Sequence, residues 1–343
     1  MALPQQTFSR TNLREFAFVR DNFLRRVEHV FSHSPTAAIF LDETLGDFGT
    51  VSMRGAGHRV EEGGHAIVIP VTLGTHSGAG TMPSPWGKHN VAADDNVRLA
   101  EANWHFYQHG LAIAEHEIAI NRGEFARASF VEHQTEQVLT SLVDLATRDL
   151  FSTAAGAETF ASFDTLINAN QASVQGLPST TLTAYNSRGL SNRGTAPAAV
   201  TFTSGPFSTQ GIEDMRTAYN NCSEGMLQPN VIITEYATHE RYEGRMQPAE
   251  RFIPMSTGDA GFKGLAFRAT PVLADPNATA GMMFFLNVGD RGIQFVALRD
   301  FDFDFGPFKP ASEQNVAVSP LRLTGQLVIQ DRRLSNKMTA IVD

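Results

Sequence analysis

Residues 264–289, GLAFRATPVLADPNATAGMMFFLNVG, have the pattern of two strands joined by a turn. Leu265 and Phe267 share one face of the first strand, because successive side chains of a strand point to opposite faces. Residues 275–277 supply turn chemistry, and the bulky apolar run over 282–286 starts a second strand. The pattern predicts a β-hairpin with almost no reactive side chain, and the rest of the chain has to explain why the protein builds it.

Length and composition bound the kind of protein. The 343 residues suit one elaborated domain or two domains. Hydrophobic residues make up 42% and charged residues 18%, which is typical of a folded chain. The net charge of −9 disfavours a nucleic-acid reader that depends on a broad basic surface. Five N-terminal arginines leave a local basic patch and a solvated helix face open: Arg10, Arg14, Arg20, Arg25 and Arg26.

Cysteine usage and hydropathy indicate the compartment. The single cysteine, Cys222, excludes an intrachain disulfide and a multi-cysteine zinc site. It lies in an amphipathic helical pattern, which predicts a buried and unreactive thiol. No apolar run reaches the roughly 18 residues of a membrane span, and the N-terminal sequence lacks the apolar stretch of a signal peptide. We expect a soluble protein made in a reducing cytoplasm, with no membrane partner.

The sequence of the first half of the chain predicts two helices with a long projecting hairpin between them. Apolar residues at helical spacing predict a helix over 12–31, closed by Pro35. Two predicted strands, 65–73 and 104–118, enclose about thirty residues rich in Gly, Pro and Ser, which indicates a long projecting hairpin. The strongest helix covers residues 123–151, a rod of ~40 Å at 1.5 Å per residue.

The second half mixes both kinds of element. After a loop-rich stretch, a helix capped by Ser208 or Thr209 is predicted, followed by the strand NVIIT (230–234) and a helix over 235–247 capped by Thr234. The apolar face of the first of these helices comprises Ile212, Met215, Tyr219 and Cys222. Further strands are predicted over 293–305 and 321–330. This order is α+β and not an alternation of strands and helices.

Motifs for catalysis are nearly absent. The stretch GTHSGAG (74–80) places His76 where a nucleophile elbow needs a serine. No phosphate loop occurs, and Val60 occupies the third glycine position of a dinucleotide fingerprint. His105 and His109 lie about 13 Å apart in a strand, too far to share one metal ion. We therefore predict no catalytic residue and no cofactor.

The stretch RDFDFDFGPF (299–308) is the strongest metal candidate, because calcium loops begin with carboxylates at steps of two. However, Phe305 replaces the glycine that lets such a loop curl, and Ala311 stands where its bidentate glutamate would be. The pattern favours a strand with phenylalanines inward and aspartates outward, so we predict no metal ligand. The residues concerned are Asp300, Asp302, Asp304, Phe301, Phe303 and Phe305.

The element order resembles the major capsid proteins of tailed bacteriophages, which have the Hong Kong 97-like fold. WHFYQHGLAIAEHEIAINRG (104–123) is similar to the strand that leads from the family's extended loop into its spine helix, which residues 123–151 resemble. Residues 211–247 are similar to the axial-domain segment of helix, buried strand and helix. GFKGLAFRATPVLADPNATAGMMFFLN (261–287) resembles the hairpin that follows, and GQLVIQDRRLSNKMTAIVD (325–343) resembles the closing strands.

The resemblance implies a division of the chain into an arm, a loop and two domains. The N-terminal arm would be 1–35 and the extended loop 61–103. The peripheral domain would comprise 36–60, 104–165 and 296–325, with the spine helix at about 123–151. The axial domain would comprise 166–295 and 326–343. An axial domain held rigid where subunits meet would explain a hairpin without chemistry.

The resemblance also implies a function and partners. The chain would be a structural protein, not an enzyme, that assembles as hexamers and pentamers into an icosahedral head. It would enclose double-stranded DNA without reading its sequence, in a virion assembled in the cytoplasm of a host bacterium. A separate scaffolding protein, a portal and, optionally, a decoration protein would be its other partners.

Contacts between subunits are expected from the arm and the extended loop. The candidate contact residues are Phe16, Phe23, Val27, Trp86, Lys88 and Arg98. Some members of the family join a loop lysine to an asparagine of a neighbour, for which Lys88 and Asn336 would be the candidates, although most members form no such cross-link.

Two alternatives remain open at the level of sequence. Encapsulins share the fold and enclose protein cargo, so the enclosed molecule would distinguish them. A soluble enzyme would use scattered groups, and a bound metal or cofactor in the purified protein would reveal it. The groups considered are His76, Asp94, Asp95 and His116.

Overall fold

The computed structural model describes residues 34–41, 56–72, 86, 97–114, 124–153, 158–167, 173–178, 200–201, 207–246, 265–299, 303–310 and 315–341. They form helices and two large sheets, which confirms the predicted α+β class. The helix predicted over 12–31 lies outside these ranges, as does most of the predicted N-terminal arm, 1–35.

The helices in this part of the chain are α1 Pro35–Phe40, α2 Glu124–Leu150, α3 Phe163–Ile167, α4 Phe207–Asn221 and α5 Tyr236–Met246, with a 3-10 helix at Arg332–Leu334. The predicted helix over 123–151 is confirmed to within one residue at each end. None of the described helices combines the length and the apolar composition that crossing a membrane requires.

The strands in chain order are β1 His58–Glu61, β2 Ile67–Thr72, β3 Val97–Ala102, β4 His105–Ala114, β5 Ser173–Val174, β6 Leu177–Pro178, β7 Val200–Thr201, β8 Val231–Thr234, β9 Ala266–Phe267, β10 Thr270–Ala274, β11 Met283–Leu286, β12 Ile293–Leu298, β13 Asp304–Phe305, β14 Lys309–Pro310, β15 Val316–Ile329 and β16 Asn336–Thr339. Two small sheets, β2-β3 and β5-β6, accompany two sheets of six strands.

The first sheet is built on the 14-residue strand β15. Its order is β1-β12-β15-β13, and β4 and β14 also pair with β15. Side chains of β15 alternate between buried and half-buried in its first half, whereas the second half is buried throughout. Both faces of that second half are covered, since Leu327 and Ile329 lie in the main core and Val328 packs with Ile67 of β2.

Helix α2 packs on this sheet through one apolar face. Its buried residues recur every three or four positions, the period of a helix face; they are Val138, Leu139, Leu142, Val143, Ala146 and Leu150. In the main core they meet Tyr107, Leu111 and Ile113 of β4. The 27 residues make a rod of ~40 Å at 1.5 Å per residue.

The second sheet has the order β7-β16-β11-β8-β10-β9 and separates two cores. Val231 and Ile233 of β8 face the main core, and Ile232 faces a second core that includes Met215 of α4 and Tyr242 of α5. β11 divides in the same way, with Phe284 and Leu286 on one side and Met283 and Phe285 on the other. A strand covered on both faces is typically a nearly continuous apolar run, as the sequences VIIT and MFFL of β8 and β11 show.

The hairpin predicted over residues 264–289 is wrong. β8 lies between β10 and β11, parallel to the first and antiparallel to the second. The first predicted strand also folds back on itself at Arg268 and Ala269, so that Phe267 pairs with Thr270. The fully buried β8, with three apolar residues and Thr234, buries both of its faces only at the centre of a sheet, and this burial outweighs pairing between sequence neighbours.

The long hairpin predicted from the strands 65–73 and 104–118 is also paired differently from the prediction. β2 pairs with β3, with Ile67 opposite Ala102, so residues 97–102 are a strand and not part of a loop. The predicted strand over 104–118 forms β4, which pairs with β15 in the first sheet. Ala102 packs with Val296 and Val328 of the first sheet, and Ala100 packs with Leu177 of β6, although the sequence of β3 has little of the usual strand character.

Two predicted helix caps are corrected by the structure. Helix α4 begins at Phe207, so Ser208 and Thr209 lie inside its first turn. Thr234 ends β8, and its hydroxyl donates to the carbonyl of Met282 at 2.9 Å, which leaves Glu235 to precede α5.

Buried polar contacts join the second sheet to the main core. Lys337 of β16 places its Nζ 2.5 Å from Oδ1 of Asp164 in α3, and both side chains are almost fully buried. The buried Arg332 donates from Nε to the carbonyl of Leu166 at 2.8 Å. A buried ion pair fixes geometry because losing either partner leaves an uncompensated charge.

A second buried carboxylate anchors α1. Asp275, at the end of β10, accepts hydrogen bonds from the hydroxyl of Ser34 at 2.7 Å and from the amide of Thr36 at 3.2 Å. Ser34 Oγ also caps α1 by accepting from the amide of Ala37. The start of α1 is thereby tied to a turn 241 residues away in sequence.

Candidate assembly surfaces

Side chains that could bind a metal ion do not cluster in the described residues. No group of three or more His, Cys, Asp or Glu there could hold a metal ion. His105 Nδ1 lies 2.9 Å from Gln326 Nε2, and His109 Nδ1 lies 3.3 Å from the carbonyl oxygen of Gly110, so both rings make local contacts. The candidate enzyme groups His76, Asp94, Asp95 and His116 lie outside the described residues.

The aspartate stretch at 299–308 is described from residue 303 onward. Phe303 has a φ of 50°, which breaks the strand predicted over 293–305, and β13 covers only Asp304 and Phe305. Phe305 is buried in the main core as predicted, while Asp304 is half-buried opposite Arg322. Asp300, Phe301 and Asp302 lie outside the described residues.

Cys222 in the second core and Tyr107 in the main core are buried titratable groups that form hydrogen bonds. Burial raises the pKa of the Cys222 thiol, which donates to the carbonyl of Ala218 at 3.1 Å. Burial, and then a hydrogen bond to Asp149, raise the pKa of the Tyr107 hydroxyl. Both groups therefore stay protonated at neutral pH, and the predicted burial of Cys222 is confirmed.

The β2-β3 hairpin exposes an apolar face. Its inner side chains pack against the first sheet and against Leu177 of β6. Its outer side chains include Val68, Val97 and Leu99, which are 50%, 52% and 58% exposed. We call Val68, Pro70, Val97 and Leu99 the hairpin face. Contiguous exposed apolar side chains of this kind mark interaction sites more often than isolated ones do.

The predicted contact residues fall partly on this hairpin. Arg98 lies between Val97 and Leu99 on β3, and its Nη1 donates to the carbonyl of Val97 at 3.1 Å. Trp86, in the segment that joins β2 to β3, is 95% exposed. Phe16, Phe23, Val27 and Lys88 lie outside the described residues.

Sequence reasoning missed three other exposed apolar side chains. Phe106 projects from β4, Met226 from the turn before β8, and Tyr236 from the start of α5. It also missed the hairpin face, although β2 reads IVIPVT, with apolar residues on both faces of a strand. A two-stranded hairpin can cover only one such face within its own chain, and that was the available signal.

The cross-link partner suggested by the resemblance does not fit the structure. Asn336 is buried in β16, where its Oδ1 accepts from the amide of Lys337 and its Nδ2 lies 3.4 Å from the carbonyl of Ala218. A lysine of another subunit could not reach this side chain without opening the second sheet. Residue 336 is therefore not an acceptor for Lys88.

Comparisons with known proteins give similarities of structure alone. No protein-family model matches the chain, and no curated protein matches it in sequence. A capsid chain of cyanophage A-1(L) superposes with a TM-score of 0.58 at 13% identity, over 91% of this chain and 93% of that one. The SrpI encapsulin of Synechococcus elongatus PCC 7942 gives 0.54 at 12% identity, over 88% and 92%.

A third similar structure comes from a satellite phage. A chain of the satellite phage P4 procapsid, which was solved with its size determination protein, gives a TM-score of 0.51 at 10% identity, over 98% of both chains. Similarity over nearly the full length of each chain covers both large sheets and α2 together. The chain therefore has the Hong Kong 97-like fold that tailed-phage major capsid proteins and encapsulins share.

Proposed function

We propose that this chain is the major capsid protein of a tailed double-stranded DNA phage and assembles into its icosahedral head. The observation that carries the proposal is the similarity to the cyanophage capsid chain over nine-tenths of both chains. We propose no cofactor.

The hairpin face gives this assembly a physical basis. In the proposed shell, hexamers and pentamers place the hairpin over a neighbouring subunit, which covers side chains that are exposed in the single chain. Covering apolar area stabilises by roughly 25 cal/mol per Å², and many copies make individually small contacts cooperative. The remaining candidates, Phe16, Phe23, Val27, Trp86, Lys88 and Arg98, would contribute from the arm and the loop.

The proposed division of the chain follows the same fold. Residues 1–35 would form the N-terminal arm and 61–103 the extended loop. The peripheral domain would comprise 36–60, 104–165 and 296–325, and the axial domain 166–295 and 326–343. The first sheet with α2 fits the peripheral role, and the second sheet with α4 and α5 fits the axial one.

Charge and location complete the proposal. A net charge of −9 suits a shell around DNA, since a strongly basic lining would hold the packaged genome tightly. The shell would enclose DNA without reading its sequence and would form in the cytoplasm of a host bacterium, with no membrane partner. A separate scaffolding protein, a portal and, optionally, a decoration protein would take part.

An encapsulin shell is the second candidate, favoured by the similarity to SrpI over 88% of this chain. Negative-stain microscopy and size-exclusion chromatography of the chain, expressed alone and with its neighbouring genes, test both candidates. Closed shells with nuclease-protected DNA support the capsid, and closed shells with a protein cargo and no DNA support the encapsulin. A monomer or dimer that never assembles contradicts both candidates and favours the alternative of a soluble enzyme.

A further inference from the structure

A groove lies between α4, the end of α5 and the tight turn that joins β9 to β10. Its volume is about 700 Å³. We call it the basic groove and define it by three arginines, Arg216, Arg245 and Arg268, and three apolar residues, Ile212, Met246 and Phe267. Ile212 and Arg216 are four positions apart in α4, so that they project from the same helix face.

The lining of the basic groove carries positive charge, whereas the whole chain carries net negative charge. Arg216 and Arg245 are exposed, and within the described residues neither forms an ion pair or a side-chain hydrogen bond. The one carboxylate in the lining is that of Glu213, so three positive groups face one negative group. The chain as a whole carries −9. Guanidinium groups that outnumber the neighbouring carboxylates are available to an external anion.

The third arginine is held in place by a strained turn. Arg268 and Ala269 have φ values of 52° and 67°, a conformation that two-residue turns usually assign to Gly or Asn. Arg268 lies over the ring of Tyr219 at 5.3 Å, and its Nη1 donates to Asn220 Oδ1 at 2.6 Å. Backbone strain of this kind persists only where the surrounding contacts hold it, and here the contacts with Tyr219 and Asn220 do so.

The apolar residues at the base of the groove favour a peptide as its ligand. Phe267 is buried, and Ile212 and Met246 are half-buried, so an occupant meets apolar surface between the arginines. A nucleic-acid backbone would satisfy the arginines but leave this floor uncovered. A peptide with carboxylates and an apolar side chain satisfies both features.

We propose that the basic groove binds an acidic segment of a neighbouring copy of this chain. The proposal rests on the proposed function, because a shell supplies a neighbouring copy at equal stoichiometry and high local concentration. It adds to that function a specific contact, in which a negatively charged chain meets the positive part of the next one. Charge complementarity of this kind sets which surfaces meet and in what register.

A competing occupant is the chain's own segment 247–264, which leaves the groove at Met246 and returns at Leu265. This segment carries two acids, Glu250 and Asp259, and two bases, Arg251 and Lys263, so that its net charge is zero. Charge complementarity therefore favours a neighbouring copy, and the experiments below distinguish the two.

The first experiment compares charge reversals inside and outside the groove. Arg216→Glu and Arg245→Glu are expected to raise the concentration needed for half-assembly about tenfold. Arg291→Glu, at an exposed arginine in the turn before β12, changes net charge equally and is expected to stay within about twofold of the unmodified chain. Circular dichroism of each unassembled chain checks the fold. Unchanged assembly of both groove variants overturns the proposal.

The same experiment separates this inference from the proposed function. If the unmodified chain does not assemble, the proposed function fails and the groove has no neighbouring copy to bind. If the unmodified chain assembles and the groove variants assemble equally well, only the groove proposal fails.

The second experiment identifies the occupant directly. The only cysteine, Cys222, is buried, so Ala266→Cys places a single exposed thiol in the groove lining. A benzophenone maleimide on this thiol is photolysed in assembled shells, and the joined peptides are identified by mass spectrometry. A species of two chains joined through an acidic peptide is expected. Labelling within one chain at 247–264, or no joined chains, overturns the proposal.

Discussion

The centre of the second sheet and the β2-β3 hairpin have similar sequences and different surroundings. β8 (VIIT) and β2 (IVIPVT) are both short runs of branched apolar residues. Every side chain of β8 is buried, because cores lie on both faces of the second sheet. The hairpin has a core on one face only. An apolar run on both faces of a strand therefore shows that both faces will be covered, but not whether the same chain covers them.

The largest expected effect tests the buried side of this comparison. Phe284→Ala removes a fully buried ring of β11 that lies 5.9 Å from the rings of Phe151 and Phe163. We expect the free energy of unfolding to fall by about 4 kcal/mol, because a cavity remains in the main core. Urea denaturation of the unassembled chain measures this. The control Phe106→Ala, at an exposed ring, should change stability by less than about 1 kcal/mol; equal losses would contradict the comparison.

The next effect concerns the ion pair that fixes the second sheet. Lys337→Met leaves the buried carboxylate of Asp164 without its partner, which should lower the free energy of unfolding by about 3 kcal/mol. The double variant Lys337→Met, Asp164→Leu removes both charges and should recover most of this loss in the same denaturation. A double variant as unstable as the single one would show that the pair stabilises the fold in its own right.

A smaller loss is expected at the start of α1. Ser34→Ala removes a helix cap and one of the hydrogen bonds to the buried Asp275, which should cost about 2 kcal/mol. Ser34→Thr keeps the hydroxyl and should retain most of the stability. If both variants unfold at the same urea concentration, the hydroxyl does not stabilise the contact between α1 and the second sheet.

The substitution with the smallest expected effect on the stability of the single chain should reduce assembly strongly. Leu99→Ser on the hairpin face should change the free energy of unfolding by less than about 0.5 kcal/mol, since the side chain is exposed. The yield of shells in size-exclusion chromatography should fall several-fold, because a neighbour no longer covers an apolar side chain. Ala112→Ser, at an exposed position of β4, is the control, and a normal yield of shells with Leu99→Ser would contradict a role for the hairpin face.

Much of the local structure could be predicted from the sequence. The period of Val138, Leu142 and Leu150 located α2 to within one residue at each end, because a helix with one apolar face repeats every 3.6 residues. NVIIT was predicted as a strand, and Cys222 as buried. These properties depend on side chains close in sequence.

Pairing between distant segments could not be predicted in the same way. The position of β8 between β10 and β11, and of β3 beside β2, depends on which surfaces were left to cover after each strand had formed. The predicted contact residues stay a prediction, and the sequence did not indicate that Val68 and Leu99 are exposed. Exposure depends on the packing partner, which local pattern does not identify.

The sequence by itself determined the α+β class, the long helix and the scarcity of catalytic motifs, because composition and periodicity act over a few turns of chain. Tertiary structure alone decided the order of both sheets, the burial of Lys337 against Asp164 and the basic groove. Arg216, Arg245 and Arg268 come from three elements that are up to 52 residues apart. Only the folded chain brings their charges to one surface, since their proximity is set by the packing of α4, α5 and the second sheet.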